Sequence, residues 1–372
     1  MNAPDPAGAP AATPPLASIV VTPRERWSLA KRSLEDIIAN TTAPHELIYV
    51  DGGMPAKVRD EIKALCDAHG HAFVSPGGFL SPNQARNIGV THARGKYVVF
   101  IDNDVFVAPN WLEALVGEAE ASGADVVGPM TCQGEPLHKT IHHAGGTFAA
   151  DPDAFFATPH GNRRISDEMF LQTTAVDDPA APREAFDTQV CEFHCVLVRR
   201  DVFSRFGPLD EGMMATKEQL DLCMTIIKGG GRVRIAPASI ATYVFPTRNS
   251  PLLPTDRAYF ILRWSPQWQK ASMDRMREKW GLGEDPYYQE RLAKLQWRHQ
   301  EGVVKPLLQR VPFIARNPKL HHHASRVLRG LCRVAAAVMA ARHRAQSASA
   351  SRDVATGPVP VERPRELSPG HG

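Results

Sequence analysis

Apolar and polar positions over residues 17–246 switch between short unbroken apolar runs and stretches of helical spacing, an order that predicts an α/β sheet. The run Ser18-Ile19-Val20-Val21 reads as a buried strand, closed by Pro23, which cannot donate to a ladder. Residues 27–39 set Trp27, Ala30, Leu34, Ile37 and Ile38 near helical spacing, and Leu47-Ile48-Tyr49-Val50 is a second strand. Together they make a βαβ unit with a right-handed connection. A helix over 56–69, a strand at Ala72-Phe73-Val74 and a helix capped by Ser81 and opened by Pro82 follow. The longest run, from Gly95 through Tyr97-Val98-Val99-Phe100-Ile101 to Asp102-Asn103-Asp104, reads as a strand covered on both faces with acids at its tip. Further on, the pattern predicts a helix over 109–120, a strand over 124–129, irregular chain over 130–185 and a strand over 190–200. A short helix over 201–206 leads to one over 217–227, with Leu220, Cys223, Met224 and Ile227 as its buried stripe. Gly229-Gly230-Gly231 ends it, and residues 232–237 return as a strand.

Composition adds limits. Hydrophobic residues at 43% and charged ones at 22% are ordinary for a soluble globular protein, and a net charge of +3 implies no nucleic-acid partner. The six cysteines show neither zinc-type pairing nor a secreted framework, which fits a reducing cytoplasm. The expected organisation is a flexible tail over 1–16 without a signal-peptide core, a main domain over 17–246, a helical extension over 247–304, a basic segment over 305–345 and a disordered tail over 346–372. The extension is expected to cover one side of the sheet, with Trp264 and Trp268 either packing there or offering ring faces to a ligand. No stretch reaches the apolar length of a membrane span. Residues 305–352 hold no acid and ten Lys and Arg residues. Within them Val327, Leu328, Leu331, Val334, Ala335 and Val338 face one way and Arg326, Arg329 and Arg333 another. That pattern suits a basic amphipathic helix on an anionic membrane surface, or else a solvated helix. No aromatic residues interleave with these charges, which argues against nucleic acid.

Candidate chemistry gathers at the predicted strand tips. Asp102 and Asp104, one residue apart, suit Mg²⁺ or Mn²⁺ carrying substrate phosphates, or else Asp102 caps a turn and Asp104 is solvated. Asp51-Gly52-Gly53 is either a nucleoside contact or a plain Asp-Gly turn. Arg86 is a diphosphate ligand or a structural ion pair. His142 and His143 are ligand or metal contacts, or ordinary strand histidines. Glu218 and Asp221, three apart, lie close together at a helix N-terminus, where a carboxylate stays ionised and can accept a proton.

The ordered set Val20-Val21-Thr22-Pro23, Val50-Asp51-Gly52, Ala85-Arg86-Asn87-Ile88-Gly89, Ala93-Arg94-Gly95-Lys96-Tyr97 and Phe100-Ile101-Asp102-Asn103-Asp104 resembles the family 2 glycosyltransferases. The resemblance covers about residues 17–246. It implies the GT-A fold, a Rossmann-like mixed sheet flanked by helices, here with a C-terminal helical extension. It also implies inverting transfer of a sugar from a nucleoside-diphosphate sugar to a glycan or lipid-linked acceptor, in cell-surface polysaccharide or glycoconjugate synthesis. By that resemblance Thr22, Pro23, Glu25, Asp51, Gly52, Arg86 and Asp102 hold the donor, Asp104 with Asp102 holds Mg²⁺ or Mn²⁺, and residues 130–185 shape the acceptor pocket. The enzyme would be cytoplasmic, peripheral on the inner membrane face through its basic segment. Two departures stand out. Gln219 occupies the place of the Asp usually assigned as base, leaving Glu218, with Asp221 second, for that role. Thr242-Tyr243-Val244-Phe245-Pro246 lacks the His that often completes the metal set, which implies a weaker or dispensable metal. The alternatives are a catalytically silent sugar-nucleotide- or glycan-binding protein and a nucleotidyltransferase, though Thr22 to Arg26 offers no glycine-rich phosphate loop.

Overall fold

The computed structural model describes residues 14–247, 250–284, 286–295 and 297–353. β1 (Ala17–Thr22), α1 (Ala30–Asn40), β2 (His45–Val50), α2 (Ala56–Ala68), β3 (Ala72–Val74), α3 (Pro82–His92) and β4 (Tyr97–Asp102) follow the predicted order. The chain turns at Asn103 and Asp104 into β5 (Val105–Val107), a strand too short to leave a periodic signal. α4 (Trp111–Ser122), β6 (Val126–Gln133), β7 (Ile141–His143), β8 (Gly146–Thr147), α5 (Pro152–Ala157), β9 (Glu168–Met169) and β10 (Phe186–Asp187) come next. Then follow β11 (Cys195–Arg199), α6 (Val202–Phe206), α7 (Glu218–Lys228), β12 (Val233–Tyr243), α8 (Pro254–Arg263) and α9 (Pro266–Trp280). A helix over Pro318–Asp353 closes the described chain.

The main sheet runs β10-β12-β6-β11-β4-β1-β2-β3, with β5 on β12 and β7 on β6. β3, β2, β1 and β4 are parallel, and β11 inserts antiparallel between β4 and β6. This is the α/β mixed sheet flanked by helices, with a helical C-terminal extension, that the sequence implies. The continuous apolar run of β4 is explained by burial on both faces. Val99 and Ile101 join Ile19 and Val21 against α1 and α4, while Val98 and Phe100 join Val20 against α3, α6 and α7. Gly89 lets α3 lie on β1, because a Cβ there would meet Val20 Cγ1 at 2.1 Å.

Three expectations change. Residues 190–194 are not strand: the Cys191 N–H goes to Cys223 Sγ at 3.4 Å rather than to a ladder, and the chain crosses the strand tips before β11 begins. β12 continues past Pro237 to Tyr243, through a register shift between Ala236 and Ile240 that accommodates the missing donor. α8 lies over the loop after β1, where Asp256 accepts the Ser28 N–H and hydroxyl, both at 2.8 Å. The final helix runs to Asp353 instead of dissolving at Gln346, as no Gly or Pro interrupts the sequence between Leu331 and Thr356. The predicted tail over 1–16 lies largely, and that beyond 353 wholly, outside the described residues.

That last helix packs on α8 and α9 through Ser325, Cys332, Ala336, Ala340 and His343. His343 Nε2 lies 2.8 Å from Gln84 Oε1 and its ring 4.8 Å from Trp268. Burial, reinforced by Arg344, pushes its pKa down to about 4. An unfolded His titrates near ~6.5, so the unfolded chain binds the extra proton between the two values and stability falls as pH drops through that window. Lowering the pH from 7 to 4.5 should therefore destabilise the protein by about 2 kcal/mol through this group. A His343→Gln variant should show that much less acid sensitivity in urea unfolding.

Candidate active site

β1 and β4 end side by side, with Thr22 opposite Asp102, and the loops after them carry the charged groups of the site. Three carboxylates and three guanidiniums alternate there in a closed ring. Asp102 lies 3.6 Å from Arg86, Arg86 is 3.9 Å from Glu218, and Glu218 is 3.2 Å from Arg263. Arg263 is 3.6 Å from Glu25, Glu25 is 3.2 Å from Arg24, and Arg24 is 3.5 Å from Asp102. All six residues except Arg24 are buried by less than a tenth exposure. Alternation lets each charge find opposite neighbours on both sides, which is what makes burial of so many ions tolerable.

Neutral groups fix the ring. Arg24 N–H donates to Asn103 Oδ1 at 2.6 Å, and Trp264 Nε1 donates to Glu25 Oε1 at 2.7 Å. Arg86 donates to Asn83 at 3.0 Å, and its guanidinium lies 3.7 Å over the Phe193 ring. His194 Nδ1 pairs with Asp102 Oδ2 at 3.1 Å, and its ring stacks on Tyr243 at 4.0 Å. The antiparallel register of β11 on β4, Cys195 opposite Ile101, is what delivers His194 to Asp102.

Burial pushes the Asp102 carboxyl up, but Arg24, His194 and Arg86 override it and hold it at about 2. Glu25 is likewise held at about 2, where burial is outweighed by Arg24, Arg263 and Arg298. Burial brings Arg86 down to about 10, against Asp102 and Glu218, so it stays cationic at neutral pH. Asp104 is the acid left over. It is 1% exposed, and burial together with the Glu25 and Asp102 charges raises its carboxyl well above the ordinary range. Its Oδ1, like Asp102 Oδ1, is buried without a hydrogen-bond partner.

Two buried carboxylate oxygens that accept no hydrogen bond, Asp104 Oδ1 and Asp102 Oδ1, the latter 3.6 Å from Arg86, fit a hard divalent cation such as Mg²⁺ or Mn²⁺. Among the described residues no group of three His, Cys, Asp or Glu side chains forms a complete cage. The remaining positions would fall to water and substrate oxygens.

Of the residues singled out in the sequence, Glu25, Arg86, Asp102 and Glu218 stand in the ring, with Asp104 and Thr22 beside it. The buried Thr22 hydroxyl also lacks a partner. Pro23 packs against Gly52, where a Cβ would meet its ring at 2.4 Å, so that glycine is required for a close crossing of two loops. Asp51 holds its own turn: Oδ1 accepts from Gly53 and Met54 N–H at 2.9 Å each, and Oδ2 from Ser75 at 2.8 Å. Asp221 corrects an expectation. Rather than lying with Glu218, it accepts from Lys279 Nζ and Trp280 Nε1, both at 2.8 Å, which tie α7 to α9 and leave it no role in the ring. His142 packs on Tyr243 at 4.8 Å, and His143 Nε2 meets the Val190 carbonyl at 3.2 Å.

Sequence reading missed Arg24, Arg263 and His194. A signal existed for Arg263, a lone cation inside Tyr259-Phe260-Ile261-Leu262-Arg263-Trp264. For His194 the strand register was needed.

Comparison with known proteins gives the same direction. The family model described as glycosyl transferase family 2 matches residues 18–207. An uncharacterized protein y4gI of Sinorhizobium fredii is 24% identical over 301 residues, covering 75% of this chain and 29% of that protein. The uncharacterized glycosyltransferase EpsJ of Bacillus subtilis is 32% identical over 116 residues, 31% of this chain and 33% of its own. The O-antigen biosynthesis protein RfbC of Myxococcus xanthus is 25% identical over 241 residues, 59% of this chain and 16% of its own. The chain thus spans a third or less of these relatives. Among solved structures, GalNAc-T7 with UDP, GalNAc and Mn²⁺ aligns with a TM-score of 0.49 and 14% identity, over 77% of this chain and 58% of that one.

Proposed function

Because this chain belongs to glycosyl transferase family 2, we propose that it moves a sugar from a nucleoside-diphosphate sugar to a glycan or lipid-linked acceptor, with inversion. The observation that carries this reading is the alternating ring at the strand tips. Arg24, Arg86 and Arg263 are pre-oriented by their ion pairs, and the oxygens of a diphosphate can take the places of ring carboxylates opposite them. Positive charge fixed where the departing diphosphate gathers its negative charge lowers the barrier without reorganisation. Mg²⁺ or Mn²⁺ on Asp104 and Asp102 would add Lewis-acid stabilisation of the same leaving group. Thr22, Pro23, Glu25, Asp51 and Gly52 line the loops beside it and are assigned to the nucleoside, and residues 130–185 to the acceptor.

Inversion follows from a single displacement: the acceptor oxygen attacks the anomeric carbon opposite the diphosphate. The ring acids are each bound to cations, which favours this over a covalent sugar intermediate on one of them. Proton NMR of the first product should show the anomeric configuration opposite to the donor. A product of unchanged configuration would overturn the inverting assignment.

The final helix supports a lipid-linked acceptor. Leu328 and Ala335 turn partly inward, while Val327, Leu331, Val334 and Val338 form an exposed apolar stripe, with Arg326 and Arg333 exposed beside it. No helix among the described residues is long and apolar enough to cross a membrane. The stripe would lie on an anionic lipid surface on the cytoplasmic side, its arginines at the headgroups. Binding to vesicles of phosphatidylglycerol and phosphatidylcholine should fall about tenfold or more in a Leu331→Glu/Val334→Glu variant, and should weaken with salt. Equal binding to pure phosphatidylcholine, or no effect of the two substitutions, would count against the surface.

A further inference from the structure

Transfer to a hydroxyl needs a proton acceptor, and the ring offers a poor one. Asp102 and Glu25 are held far down by their cations, and Glu218 Oε1 lies against both Arg263 and Arg86. Asp221 is bound to Lys279 and Trp280. Glu192 differs from all of these. It precedes Phe193, which lies under Arg86, and His194, which holds Asp102, so the backbone places it at the edge of the site. It is half-buried, and its hydrogen-bond partner is neutral: Gln219 Nε2 at the first turn of α7, donating to Oε1 at 3.5 Å.

We propose that Glu192 is the base that takes the proton from the acceptor hydroxyl. The inference rests on the transfer reading above. As the acceptor oxygen forms its bond to the anomeric carbon, the bond from that carbon to the diphosphate oxygen breaks and its electron pair leaves with the nucleoside diphosphate. The hydroxyl proton passes to Glu192 and then to water, so the step balances without any other reactant. Burial raises the Glu192 carboxyl above its ordinary range, opposed by His194 and Arg24 and reinforced by Asp167 and Glu218, which makes it a stronger base than Asp102 and Glu25. Gln219 is a positioning residue here: its amide orients the carboxylate and adds no charge that would weaken it.

The test uses the full chain and whichever donor the wild type turns over. Glu192→Gln, which preserves shape and the contact to residue 219, should lower kcat by about 100-fold or more and remove the acid limb of the pH profile, as loss of a general base does. Donor affinity should stay within about twofold, which separates a lost base from a damaged site. Adding Gln219→Asp to that variant returns a carboxylate to the adjoining position and should restore about tenfold or more of the rate. If Glu192→Gln retains wild-type kcat and its acid limb, Glu192 is not the base, while the transfer reading stands. If the wild type binds donors and turns none over, the transfer reading falls and takes the assignment with it.

Discussion

Replacing Asp104 with asparagine is expected to abolish metal-stimulated donor turnover and, in the same protein, to raise the melting temperature of the metal-free form. Both effects come from one arrangement. Asp104 is buried, its Oδ1 has no hydrogen-bond partner, and burial together with the Glu25 and Asp102 charges disfavours its ionised form, while the six-membered ring beside it is already balanced. Asparagine keeps the shape and removes the surplus charge. Removing a buried acid whose ionised form is disfavoured is worth about 1–2 kcal/mol, or roughly 2–5 °C for a domain of this size. The same change deletes a hard oxygen ligand, and Mg²⁺ or Mn²⁺ should no longer stimulate release of the nucleoside diphosphate. Thermal melts with and without Mn²⁺ check both halves. An asparagine variant that melts lower without metal, or that keeps full metal stimulation, would refute the assignment.

Arg86→Met should do the opposite to stability. Arg86 is fully buried and stands between Asp102 and Glu218, with its plane over Phe193. Methionine fills much of the volume and leaves two buried carboxylates short of a counter-charge, a loss of about 3–5 kcal/mol when one partner of a buried pair is removed. Arg86→Lys should recover only part of this, because an ammonium cannot form the planar fork that reaches Asp102, Asn83 and Glu218 at once. Urea unfolding measures the first effect, and donor affinity, expected to fall in both variants, measures the second. A methionine variant within about 1 kcal/mol of wild type would mean that the ring contributes little to the fold.

Much of this site was legible because its parts lie on local signals. The unbroken apolar run into Asp102 could only be a strand covered on both faces, and Ser81-Pro82 could only open the helix that carries Arg86. Acids at strand ends then identified one edge of the sheet. What stayed hidden depends on distant pairing. His194 reaches Asp102 through an antiparallel register between segments about 90 residues apart, and Arg263 arrives with a helix beyond the main sheet. The pairing of Glu218 with Asp221 failed for a similar reason. Positions three apart share a helix face, but a lysine and a tryptophan on α9 claimed Asp221. Glu192 was passed over because its stretch looks like the start of a strand, whereas β11 begins only at Cys195 and Glu192 directly precedes Phe193 and His194, which touch Arg86 and Asp102.

The central claim is that the strand-tip ring serves sugar transfer, and its most direct test is nucleoside diphosphate release by the wild-type chain. A panel of nucleoside-diphosphate sugars would be followed with Mn²⁺ and with glycan and lipid-linked acceptors present. Release from one donor, dependent on acceptor and lost in Asp104→Asn, is the predicted result. Tight binding of a donor with no release under any of these conditions would contradict it and leave a silent sugar-nucleotide-binding protein in its place.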